Sequence, residues 1–145
     1  MVMPGDGKPP ISKSKLQMPN KMSKPKDSKY DLEERTAIFA EDIVKFAKLI
    51  SVNEVTKPLI SQSVRSGTSI GANYCEADCA ETKKDFEHKM GICKKESKEA
   101  KYWLRIIATA APILKEQCKV LWKECNELNL IFSSIVNKSK NKVGH

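Results

Sequence analysis

The stretch RSGTSIGANYCEAD, Arg65 to Asp78, decides how this chain folds. Its Gly, Ser and Thr content reads at first as a loop. Plotted at about 100° per residue, however, the region sorts into two sides. Gln62, Arg65, Ser69, Asn73 and Glu76 fall within an arc of roughly 80°. Leu59, Ser63, Gly67, Ile70, Tyr74 and Ala77 collect on a different side. A loop has no reason to sort this way. The pattern predicts a helix from Pro58 to about Cys79, with Pro58 in the first turn, where its missing N–H costs nothing. Gly67 and Gly71 each weaken such a helix by about 1 kcal/mol relative to Ala. Their place inside it implies that a neighbouring backbone comes close.

Three more amphipathic segments flank this one. Asp31, with Glu34 three residues on, has the spacing of a capping box and predicts a helix start. That first helix is expected to reach about Leu49, with Leu32, Phe39, Ile43, Phe46 and Ile50 on one side. Asn53 and the Thr-Lys-Pro turn at Pro58 separate it from the second helix. Thr82, followed by Asp85, caps a third helix whose inner stripe is Phe86, Met90, Cys93, Ser97, Ala100, Leu104 and Ile107. Ala110-Ala111-Pro112 breaks it. The fourth helix alternates steps of three and four through Cys118, Leu121, Cys125, Leu128, Phe132 and Ile135, the seam of a coiled-coil-like bundle. Four helices joined by short links predict an all-α, up-down-up-down four-helix bundle over residues 30–137.

The ends differ from the middle. Residues 1–29 are rich in Lys, Pro and Ser and too poor in apolar residues to offset chain entropy, so a disordered tail is expected. Met18 and Met22 are possible alternative starts. After Asn137 the chain is expected to fray into a second basic tail, 138–145. The net charge is +8, and it belongs to the tails. Residues 1–30 carry seven Lys and two Asp, residues 138–145 three Lys, and residues 31–137 equal numbers of basic and acidic groups. Basic character of the whole bundle is therefore no argument for nucleic-acid binding. No apolar run approaches the roughly 18–20 residues of a membrane span, and no signal-peptide core is present. A soluble, cytoplasmic protein is expected, with no membrane partner. The five cysteines lack CxxC spacing, and four can face inward on helices. Reduced, buried thiols are expected, with neither metal nor cofactor.

Catalytic patterns are weak. Asp85-x2-His88 resembles half of a carboxylate-bridged di-metal site, but no second histidine motif exists. Ser69 has no partner His in pattern, and Gly67-x3-Gly71 is followed by no Gly-Lys-Ser/Thr. Cys75 lacks an activating cation or helix N-terminus. No enzyme and no small-molecule substrate are expected.

Three polar or apolar features remain. The stripe Gln62, Arg65, Ser69, Asn73 and Glu76 reads either as a binding surface or, preferably, as a hydrogen-bonded network fixing helix register, with Glu99 on the third helix as partner to Arg65. Lys94, Lys98, Lys101 and Arg105 form a basic ridge about 16 Å long, extended by Lys83 and edged by Tyr102. It reads as a solvated face, as a phosphate-binding surface, or as a contact for an acidic neighbour such as residues 31–60. Ile92, Trp103 and Ile106 form a second apolar strip on the third helix, either a subunit contact or part of a wide core. Trp122 fits either.

The run Arg65-x3-Ser69-Ile70-x2-Asn73-x2-Glu76 resembles the signature of the 23S rRNA intervening-sequence protein family of small bacterial four-helix bundles. The regions Ser97-x-Glu99 and Glu127-Leu128 sit where that family has similar residues. The resemblance spans about residues 30–137. It implies the bundle fold. It also implies kinship with the accessory variability determinant proteins of diversity-generating retroelements, which form ring-shaped homopentamers and engage a reverse transcriptase and its RNA. A homopentamer that binds RNA or a ribonucleoprotein partner is the resulting expectation. A protein-interaction or structural adaptor without direct nucleic-acid contact is the alternative.

Overall fold

The structure is a computed structural model that describes residues 28–143. The expected tail over residues 1–29 lies almost wholly outside the described residues. Four helices form one bundle: α1 (Ser28–Ala47), α2 (Thr56–Asp78), α3 (Lys83–Ala110) and α4 (Lys115–Val143), with a 3-10 turn at Pro112–Leu114 before α4. Each helix packs against the next in sequence, and α4 returns to touch α1. Pairings between neighbours run in opposite senses along the chain. Glu76 meets Lys89 while Arg65 meets Glu96. Ser97 meets Asn129 while Glu87 meets Ser139. Successive helices are therefore antiparallel.

Arg65 to Asp78 lie within the uninterrupted helix α2, and the two glycines there are accounted for by what they touch. A Cβ built on Gly67 would lie 2.9 Å from Ile43 Cγ1 of α1. One on Gly71 would lie 3.2 Å from the Thr36 hydroxyl and 3.4 Å from the Thr36 carbonyl oxygen. Thr36 and Ile43 thus fill the space where α2 side chains would stand. Thr36 is itself buried and satisfies its hydroxyl on the Leu32 carbonyl, one turn back in its own helix, at 2.8 Å.

The core follows the expected stripes, except that Phe86 and Ile135 are half-buried and Val136 takes the buried position beside Ile135. Leu32, Phe39, Ile43, Phe46 and Ile50 are buried from the α1 side, Met90, Cys93, Ala100, Leu104 and Ile107 from α3, and Leu121, Cys125, Leu128 and Phe132 from α4. Each large apolar side chain so buried contributes roughly 1.5–3 kcal/mol, which outweighs the ~0–1 kcal/mol of an exposed ion pair. The seam therefore holds the bundle together, and polar contacts fix its register.

Helix ends show where local chemistry acts. Asn53 Oδ1 accepts from the N–H groups of Val55 and Thr56 at 2.8 and 2.9 Å, and Thr56 Oγ1 accepts from Asn53 N–H at 2.9 Å. This reciprocal cap starts α2 with Pro58 in its first turn. Thr82 caps α3 as expected, accepting from Asp85 N–H at 3.0 Å.

Several boundaries depart from expectation. The first helix begins at Ser28, ahead of Asp31, because no Pro or Gly stands between Pro25 and Asp31 to stop it. It ends at Ala47, and Ile50 is buried from the connection that follows. The fourth helix does not fray at Asn137 but continues to Val143, so most of the expected C-terminal tail is helical. Val136 is buried, and Ser139 Oγ donates to Glu87 at 2.5 Å, so these last turns pack along the start of α3. Cys93, Cys118 and Cys125 are buried, but Cys75 and Cys79 are exposed, two outward thiols rather than one. Burial pushes the three inner thiols up to about 12, so they are protonated near neutral pH.

Gly67→Ala is expected to destabilise the protein by about 1–3 kcal/mol through overpacking against Ile43. Ile43→Val in the same chain should recover part of that destabilisation. Gly91→Ala, where an added Cβ meets nothing within 4 Å, should instead raise stability by about 0.5–1 kcal/mol. Urea denaturation midpoints at a fixed protein concentration check all three.

Candidate functional site

The face of α2 that carries Arg65 turns towards α3. The Arg65 guanidinium reaches both carboxylate oxygens of Glu96 through Nη1, at 3.2 and 3.3 Å, and bonds Glu99 through Nη2. Its Nε donates to Gln62 Oε1 at 3.3 Å. Trp103 Nε1 donates to Glu99 Oε2 at 3.1 Å, so the network ends in an indole. Glu96 is the buried member, with a side chain only 10% exposed, whereas Arg65 is 45% exposed. Arg65 thus spans from the core edge to solvent. The hydrogen bond from Trp103, followed by those from Arg65, holds the Glu99 carboxyl below the usual carboxylate range.

The expected network is therefore present but narrower than the stripe. Gln62, Arg65 and Glu99 belong to it. Ser69 and Asn73 do not cross to another helix: Ser69 Oγ donates to the Arg65 carbonyl at 2.7 Å, and Asn73 Nδ2 to the Ser69 carbonyl at 2.8 Å. Such back-bonding is what short polar side chains do on a helix when no partner faces them. Glu76 forms a separate ion pair with Lys89 of α3 at 2.5 Å.

Two polar groups escape the sequence pattern. Glu96 lies three residues before Glu99 and so shares its face, a spacing that could have exposed it. Arg35 of α1 has a side chain 13% exposed. It binds Glu124 of α4 bidentately at 2.8 and 3.1 Å and reaches Glu127 at 2.6 Å. Its signal is position: Leu32 and Phe39, at i−3 and i+4, put Arg35 on the edge of the apolar stripe of α1. This clamp joins the first helix to the last, and Glu127 falls in one of the regions that carry the family resemblance.

The third helix presents the cations. Lys83, Lys94, Lys98 and Arg105 are exposed and make no ion pair with any described residue. Lys83 stands about 16 Å from Lys94, with Glu87 on the same side between them, so it is an outlier rather than a continuation. Lys101 is half-buried and leans onto α4, where Nζ donates to Asn126 Oδ1 at 2.8 Å and sits 5.2 Å from the centre of the Trp122 ring. Ile92, Trp103 and Ile106 are half-buried and lie outside the main core cluster. Trp122 is exposed on the α4 flank of the ridge, away from that strip. Among the described residues, no cluster of His, Cys, Asp or Glu is placed to hold a metal ion, and no helix is long and apolar enough to cross a membrane.

Glycine-mediated packing of α2, an arginine tying it to α3 and a short-linked antiparallel bundle define a class of small helical-bundle proteins. The family model described as "23S rRNA-intervening sequence protein" matches residues 28–134. A solved structure from Bacteroides thetaiotaomicron, described as a protein with unknown function from the S23 ribosomal protein family, is 36% identical. That match covers 72% of this chain and 97% of the other, with a TM-score of 0.66. No curated protein matches the chain. The chain belongs to the 23S rRNA-intervening sequence protein family.

Arg65→Ala leaves the Glu96 carboxylate without its partner and is expected to cost about 1–3 kcal/mol. Because the Glu99 carboxyl is held low in the folded state, its contribution is present above the ordinary carboxylate range and disappears as pH falls through the folded value. Glu99→Gln should therefore flatten the acid limb of stability. Thermal melting from neutral to acid pH, with the two variants beside wild type, checks both outcomes.

Proposed function

We propose that this protein is a non-catalytic, self-associating helical bundle that binds RNA or an RNA-containing partner through the α3 ridge, assisted by its lysine-rich ends. The observation that carries this reading is the alignment of exposed cations along one side of α3. Arg35, Arg65 and Lys89 are each answered by carboxylates across a helix interface. Lys94, Lys98 and Arg105 are exposed on one side of one helix and answered by no described carboxylate. In a bundle whose basic and acidic groups are equal in number, such a row is suited to phosphates, whose bound counterions it would displace. The family description names an intervening sequence of 23S rRNA, a setting in which an RNA partner would be at hand.

The half-buried strip Ile92, Trp103 and Ile106 lies outside the core cluster and is assigned to contact between copies. A ring, in the form of a homopentamer, would repeat the ridge and multiply its affinity. In kinship with the retroelement accessory proteins, the partner would be a reverse transcriptase with its RNA, in the cytoplasm. The adaptor reading keeps one observation in its favour. Val52, Val55 and Ile113, exposed in the two connections at one end of the bundle, offer apolar area to a protein partner.

Binding of nuclease-treated protein to RNA over a salt series tests the proposal. Each phosphate that a variant no longer neutralises should reduce the slope of log K against log salt by about 0.7–0.9. Lys94→Glu, Lys98→Glu and Arg105→Glu together should flatten that slope by about 2–3 and weaken binding steeply at low salt. An unchanged slope would remove the ridge from the binding surface. Absence of RNA binding by the wild-type chain would favour the adaptor.

A further inference from the structure

The ridge is bordered by an aromatic ring on each side. On the α4 flank, Trp122 is 38% exposed, and Lys101 Nζ lies 5.2 Å from its ring centre. Lys101 is held there by Asn126, at 2.8 Å, which fixes the lysine and the indole relative to each other. On the opposite flank, Tyr102 is 54% exposed. It lies about 40° around the helix from Lys98 and about 60° from Arg105. The Trp103 ring braces it edge-on, with centroids 5.0 Å apart and planes at 73°, and Trp103 is itself tied to Glu99. Both exposed rings are therefore positioned by neighbours, and both stand at the level of the Lys98–Arg105 segment.

Resting on the RNA-binding reading above, we infer that this surface takes unpaired RNA, with Trp122 and Tyr102 stacking bases while Lys94, Lys98 and Arg105 hold the phosphates between them. A row of cations alone fits any polyanion. Exposed rings beside it add a π surface that only unstacked bases can use, because a duplex keeps its base faces stacked on one another. Asn126 supports the same chemistry. Its carbonyl oxygen is engaged by Lys101, while its amide N–H groups can donate to a base edge.

The discriminating experiment measures affinity of the full chain for an unstructured RNA of about 12 nucleotides and for a blunt RNA duplex of the same length. Variants are Trp122→Leu, Tyr102→Leu and the aromatic-preserving Trp122→Phe. Helicity and mass in solution are recorded for each. The expected result is tighter binding of the single strand, weakened about 5- to 100-fold by either leucine variant and largely kept by Trp122→Phe. Duplex binding should respond little to any of the three. Equal binding of strand and duplex, with no effect of the leucine variants, would overturn the stacking role while leaving the phosphate-binding ridge standing. Failure of the wild-type chain to bind either RNA would overturn both readings.

Discussion

At Gly67 and Gly71 the second helix has no side chain to place, and Ile43 and Thr36 of the first helix occupy that space. Everything else in the bundle is arranged around this apposition. With one side of α2 pressed on α1, the side that carries Arg65 must meet α3, where Glu96 and Glu99 receive it. The apolar seam supplies most of the stabilisation. Glycine contacts and the arginine network decide which way α2 is rotated and how far along its neighbours it sits. The Arg35 clamp to Glu124 and Glu127 does the same for the closing contact between α1 and α4.

This division explains how charge is distributed. Cations that face another helix are paired, because a charge placed at a packed interface without a partner is strongly unfavourable. Cations at solvent-facing positions carry no such requirement: Lys45, Lys48, Lys84, Lys95 and Lys123 stand exposed, and Lys94, Lys98 and Arg105 do so in one row on α3. Lys101 marks the boundary between the two regimes, shared between Asn126 and the Trp122 ring. A bundle close to neutral in this way carries one row of exposed cations on α3, with Trp122 and Tyr102 on its two flanks.

Much of this is legible in the amino-acid sequence. The stripes of α1, α3 and α4 name most of the buried apolar residues, because periodic burial leaves a periodic pattern in sequence, whereas Thr36, Ala47, Glu96 and Val136 are buried without belonging to them. The α2 glycines signal close packing, and Arg65 with Glu99 can be found because an arginine at the edge of a packed helix face is well matched by a carboxylate opposite. Less visible are features decided by competition between equivalent groups. Ser69 and Asn73 share the arc of Arg65 yet bond their own helix, and no spacing rule separates a side chain with a facing partner from one without. Arg35 is easily overlooked because its partners lie some ninety positions away, on a helix whose rotation only the assembled bundle defines. The end of α4 runs past its expected stop because Ser139 and Val136 are anchored by tertiary contacts that its polar composition does not advertise.

The closeness of α1 and α2 at the glycines is most directly tested by native-state hydrogen exchange of the backbone amides from Ser66 to Gly71. If α2 is locked between Ile43, Thr36 and the Glu96–Glu99 face, these amides open only when the whole bundle unfolds, and their protection tracks global stability across denaturant. Exchange through local opening at the rate of the helix ends, insensitive to denaturant, would contradict that packing.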